Sequence, residues 1–128
     1  MRAIIVLVAA VMLAGCASGP TPAEIAAIDY GQPVEQRAAE QQAAAYLGKV
    51  LKDPASAQVS FGKVYQGYYT GAPIRGSKIS AGYMLDVLVN AKNSYGGYTG
   101  AKPYRFLFQN GVMTGAWKVT QSGHLISI

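Results

Sequence analysis

The stretch Asn90-Ala91-Lys92-Asn93-Ser94-Tyr95-Gly96-Gly97-Tyr98-Thr99-Gly100 sets three glycines within five residues, beside two tyrosines. Glycine enters positive φ at little cost and leaves backbone amides bare. Tyr95 and Tyr98 supply flat faces and hydroxyls, and Lys92, Lys102 and Arg105 supply positive charge near the ends of the segment. Such a loop could hold an anion or stack on a sugar ring. Lys92, Tyr95, Gly96, Gly97, Tyr98 and Arg105 are therefore the candidate binding residues. The same residues also suit a bulged hairpin turn, with the tyrosines packed over a sheet and Lys92 capping carbonyls. A phosphate loop of the Gly-x-x-x-x-Gly-Lys-[Ser/Thr] kind is excluded, because Gly100-Ala101-Lys102-Pro103 has the wrong order.

Catalytic sets are missing elsewhere. His124 is the only histidine and Cys16 the only cysteine, whereas a zinc site takes three or four ligands. Glycosidase chemistry needs two carboxyl groups flanking a cleft, and after Pro54 only Asp86 is available. Ser77 and Lys78 are adjacent, so on a strand they point to opposite faces. The expectation is no enzyme, no metal and no cofactor. Nine tyrosines are many for this length; they suit either a recognition surface or the half-buried faces of a small sheet. Trp117 is expected in the core.

Cys16 has a different chemistry in prospect. Met1 and Arg2 give a positive start, and Ala3 to Leu13 is an unbroken apolar run. That length suits a signal-peptide core and falls short of the ~20 residues of a membrane span. The following Leu13-Ala14-Gly15-Cys16 resembles the lipobox of bacterial lipoproteins at every position. The resemblance implies a diacylglyceryl group on the Cys16 thiol, cleavage before Cys16, and two or three acyl chains such as palmitate. Two chains or more anchor stably where one is marginal. Ala17, in place of an aspartate, implies the outer membrane facing the periplasm. A lipidated Cys16 leaves no thiol for a disulfide.

A second resemblance rests on Asp53-Pro54-Ala55-Ser56-Ala57, the Asn90–Gly100 stretch and Lys102-Pro103-Tyr104. Together they look like a set of small exported bacterial proteins, many of them lipoproteins. The likeness covers roughly residues 50–112 and implies no mechanism. Asp86-Val87-Leu88 stands where many of those proteins carry Cys-Gly-Glu, so no role of that cysteine or glutamate transfers.

The elements that must position these residues follow from patterning. Thr21-Pro22-Ala23-Glu24 reads as a capping box opening a short helix to about Asp29, with Gly31 as its stop. A longer helix runs from Pro33 to about Leu51, with Ala43, Leu47, Val50 and Leu51 on one stripe. Beyond Pro54 the texture is that of strands: Gln58–Thr70, Ser80–Lys92, Pro103–Phe108 and Val112–Val119, with Leu125–Ile128 as a short fifth strand or a docked tail. Gly71–Gly76 is a loop, and Asn110-Gly111 is the strongest hairpin signal. The fold class this implies is α+β, with N-terminal helices packed on an antiparallel sheet of four or five strands. The domain division is 1–15 signal peptide, 16–32 lipidated cysteine, tether and short helix, and 33–128 a single domain.

The full chain carries a formal charge of +5. Residues 54–128 hold seven lysines and arginines against Asp86 alone, while residues 16–53 are net acidic. A basic half attracts polyanions. In an exported protein those are lipid head groups, wall polymers and acidic proteins rather than nucleic acid; the lysines also suit simple solubilisation of a sheet surface. The function expected is a non-enzymatic, lipid-anchored envelope module. It would contact the membrane through Cys16 and either an envelope protein or an anionic cell-wall polymer. The alternative is a surface accessory or inhibitor protein acting against an enzyme or phage factor.

Overall fold

The computed structural model describes residues 19–71 and 78–128. The signal segment, Cys16, Ser77 and most of the 71–76 loop lie outside them. Two helices, α1 (Pro22–Ala26) and α2 (Gln36–Val50), precede six strands: β1 (Gln58–Phe61), β2 (Tyr65–Thr70), β3 (Ile79–Asn90), β4 (Lys102–Gln109), β5 (Val112–Val119) and β6 (Leu125–Ser127). A 3-10 turn at Pro54–Ser56 joins α2 to β1. All strand pairs are antiparallel, in the order β1-β3-β4-β5-β6, with β2 pairing β3 beside β1.

This corrects the expected N-terminal helices on four or five strands. The described residues form mostly a six-stranded antiparallel sheet with two short helices. The extra strand arises where Gln58–Thr70 breaks. Between the pairs Phe61↔Val87 and Tyr65↔Met84 this side has one residue more than β3, so the ladder is interrupted. Gly62 stays on the ladder through its amide to the Asp86 carbonyl at 2.8 Å, and a Cβ there would lie 2.9 Å from that oxygen. The Val64 amide turns away and donates to Gln36 Oε1 at 2.8 Å. The tail residues 125–127 pair with β5 and complete the sheet. On the other side of the ledger of elements, α1 is only five residues long and buries none of them. Its capping box does form: Thr21 Oγ1 accepts from the Glu24 amide, and the Glu24 carboxylate accepts from the Thr21 amide at 2.7 Å.

The core lies between α2 and one face of the sheet. Ala39, Ala43 and Leu47 meet Leu85, Val87, Val89, Tyr104, Phe106 and Phe108. The small alanines let the helix approach closely, and Tyr46 meets the Phe106 ring edge-on at 6.0 Å between centroids. Two glutamines fix the helix across the strands. Gln36 Nε2 donates to the Gly62 carbonyl while its Oε1 takes the Val64 amide. Gln42 Nε2 donates to the Gly111 carbonyl at 2.8 Å while its Oε1 takes the Met113 amide at 3.0 Å. Each side-chain amide thus stands in for a neighbouring strand.

The hairpin at Asn110-Gly111 has positive φ at both residues, 51° and 81°, as a tight β4–β5 turn requires. A bulge follows: Phe108 pairs with Met113, but Leu107 pairs with Gly115, leaving Thr114 over. That extra residue reverses the facing of everything after it. Trp117 comes to lie opposite Arg105 instead of Tyr104, on the face away from α2. The expected core position of Trp117 is corrected accordingly. On that second face Trp117 lies over Gly115 and meets Tyr69 of β2 with ring centroids 5.3 Å apart. The two rings span the sheet from β2 to β5, and Met84 and Leu107, each 3% exposed, are buried on that same face.

Candidate functional site

The glycine-rich segment follows β3 and is organised by Asn93. The Asn93 amide donates to the Gly97 carbonyl at 2.8 Å, and the Gly96 amide donates to the Asn93 carbonyl at 3.1 Å. Asn93 Oδ1 accepts from the Tyr95 and Gly97 amides at 2.9 and 3.1 Å. Asn90 Oδ1 accepts from the Gly100 amide at 3.1 Å. Gly96 and Gly100 use the positive φ that glycine permits, 80° and 93°. The amides at 95, 96, 97 and 100 are therefore spent within the loop. Those amides are not available to an anion, which leaves the lysine side chains as the charged donors of this loop and its surroundings.

Tyr98 and Lys92 form an isolated bridge at the base of the loop. The Lys92 ammonium lies 5.5 Å from the Tyr98 ring centroid, within cation–π range. The Tyr98 hydroxyl donates to the Ser56 carbonyl at 3.0 Å, tying the loop to the 3-10 turn. Tyr98 is thus a strut. Tyr95 differs: at 97% exposure its ring stands free at the loop tip.

Between the loop, the end of α2 and the adjoining strand ends lies an open cleft of about 500 Å³. Lys52, Lys92, Lys102 and Lys118 line it, with Tyr95, Tyr104 and Ile128, and none of its described lining residues is an aspartate or glutamate. Lys52 reaches Ser94 Oγ at 3.3 Å, bracing the loop against the helix end. Lys118 lies 5.9 Å from the Tyr104 ring centroid. Four ammonium groups brought to one cleft from the ends of α2, β3, β4 and β5 favour anions there.

Of the residues singled out in the sequence, Lys92, Tyr95, Gly96, Gly97 and Tyr98 share this loop. Arg105 does not join them. It follows Tyr104 on β4 and so points to the opposite face, where it grips Asp86 through Nε at 2.7 Å and Nη2 at 2.9 Å. The Tyr65 hydroxyl donates to the same carboxylate at 3.2 Å. Arg105 is raised above its ordinary pKa, chiefly by the hydrogen bond to Asp86. Tyr65 is raised chiefly by burial and then by the Asp86 charge. Sequence reasoning did not place Lys52 or Lys118 in the site, nor single out Asn93. Lys52 is carried in by the end of α2, and Lys118 by the Thr114 bulge, which pairs it with Tyr104.

Compared with known proteins, the chain matches no family model, no curated protein and no solved structure.

Proposed function

We propose that this protein is a non-enzymatic, lipid-anchored envelope module that binds an anionic partner in the lysine-lined cleft beside the Asn90–Gly100 loop. The observation that carries the reading is the convergence of Lys52, Lys92, Lys102 and Lys118 on one cleft whose lining includes no acidic side chain. The Leu13-Ala14-Gly15-Cys16 sequence supports the anchor. The loop supports a binding role in a second way: the amides of Tyr95, Gly97 and Gly100 are bonded to Asn93 and Asn90, so this wall of the cleft is held in place and little ordering is needed on binding.

Two measurements test this. Mass spectrometry of the mature N-terminus should find acylated Cys16, and Cys16→Ser should abolish it. Binding of the full chain to heparin, used as a general polyanion, should weaken steeply with salt, because the Debye length shrinks from about 10 Å at 0.1 M to about 3 Å at 1 M. Replacing all four lysines with glutamine should remove that binding while leaving the circular dichroism spectrum intact. Unchanged binding by the quadruple variant would refute the cleft as the site.

A further inference from the structure

The cleft is not lined by lysine alone. The apolar face of the sheet runs on past Val50, where α2 ends, through Val89 of β3, Ala91 just beyond it and Tyr104 of β4. Val89 and Tyr104, 2% and 5% exposed, close the base of the cleft. Leu51, Ala91 and Ile128 are half-buried beside that base, and Val50 is exposed. Ile128 is held by two bonds: its amide donates to the Ala116 carbonyl at 3.2 Å, and its carbonyl accepts from the Tyr46 hydroxyl at 2.6 Å. The floor is therefore fixed and apolar.

The charge lies around this floor. Lys52, Lys102 and Lys118 are exposed, as lysines are when their stems lie on apolar surface and their ammonium groups stay in water. Among the described residues none of the four lysines pairs with a carboxylate. An apolar floor ringed by ammonium groups is complementary to an amphiphilic anion. A fully polar polyanion gains nothing from covering the floor, since only apolar surface gains by burial there. A peptide laid on it would bury backbone amides against side chains that offer no hydrogen bond. An acyl chain carries no such group. A carboxylate brings one negative charge, whereas a phosphate monoester brings about 1.5 to 2 at pH 7, the better match to four ammonium groups. The cleft's 500 Å³ falls within the range of small-molecule pockets, about 300–1,000 Å³, which suits one such molecule rather than a membrane surface.

On the reading of the cleft as an anion site, and independently of the anchor at Cys16, we infer that its ligand is a phosphate-headed lipid with a single acyl chain. The phosphate meets Lys52, Lys92, Lys102 and Lys118, and the chain lies along Val50, Leu51, Ala91 and Ile128.

The test uses the full chain in phosphatidylcholine vesicles, with hydrogen exchange over residues 91–100 followed against free ligand fixed by dialysis with protein-free vesicles. Butyl, hexyl and octyl phosphate are compared with octanoate, octyl glucoside and polyphosphate. Affinity for the alkyl phosphates should rise about two- to four-fold per methylene, as burial of a CH₂ group gives, and the variant with all four lysines changed to glutamine should lose it. Val50 stands outside the core cluster, so Val50→Ser should fold; it should weaken octyl phosphate by about three-fold and leave polyphosphate unchanged. Equal affinity for butyl and octyl phosphate, or equal weakening of octyl phosphate and polyphosphate by Val50→Ser, would overturn the apolar floor. Octanoate binding as tightly as octyl phosphate would overturn the phosphate head. Protection by polyphosphate and by no alkyl phosphate would overturn the lipid assignment and leave the anion site standing. Octyl glucoside binding as tightly as octyl phosphate, or protection by none of the anions, would sink the anion site itself.

Discussion

Asp86 serves two partners at once, the fork of Arg105 and the hydroxyl of Tyr65. Both the arginine and the carboxylate are partly exposed, at 32% and 46%, so solvent screens the pair and its net worth is about 1 kcal/mol or less. Asp86→Asn should therefore lower the unfolding free energy by no more than about 1 kcal/mol, measured by urea denaturation. Tyr65 has a folded pKa above its ordinary 10.0. Its neutral form is the one the fold prefers, so its contribution is whole below pH 10 and disappears as pH rises through the raised value. Stability measured across that range should fall less in Tyr65→Phe than in the natural chain, and alkaline absorbance should lose one late-ionising tyrosine. Gly82 is a stricter position. A Cβ there would collide with the Phe108 carbonyl oxygen, which is backbone and cannot swing aside. Gly82→Ala should cost roughly 1–3 kcal/mol, as overpacking does, read as a lower denaturation midpoint.

At the scale of elements, α2 carries the decisive pins. Gln42→Leu removes one partner from the Met113 amide and one from the Gly111 carbonyl. With both groups part-buried, the loss should be about 1–3 kcal/mol, and hydrogen exchange at Met113 should quicken most. Much of this layer was legible in the sequence. The capping box at Thr21, the positive-φ turn at Asn110-Gly111, the β5 bounds and the Leu85–Val87–Val89 core face all follow from local patterns that the structure keeps. Two bulges were not legible. Each inserts one residue whose presence depends on how strands pair across the sheet, which no local period records. The Gly62–Val64 break made two strands of one, and the Thr114 bulge exchanged the faces of Trp117 and Lys118. The site suffered in proportion: the loop residues group as their spacing suggested, while Arg105 lies on the other face and Lys118 replaces it.

The whole molecule is asymmetric from end to end. Its tether docks beside the β4–β5 turn, and its positive cleft lies where β4 begins.

Trp117 is the chain's only tryptophan, and the Thr114 bulge has put it under Tyr69 on the outer face of the sheet rather than among the phenylalanines. Every photon of indole emission from this protein therefore reports on that one roof, four strands wide and with no helix over it among the described residues. The core and the cleft are silent at those wavelengths. In Gly115→Ala, whose new methyl would occupy the place of the indole ring, the emission should move to the red with the circular dichroism of the sheet unchanged. Ligands entering the lysine cleft should leave it unmoved, so the two faces can be followed separately in one cuvette.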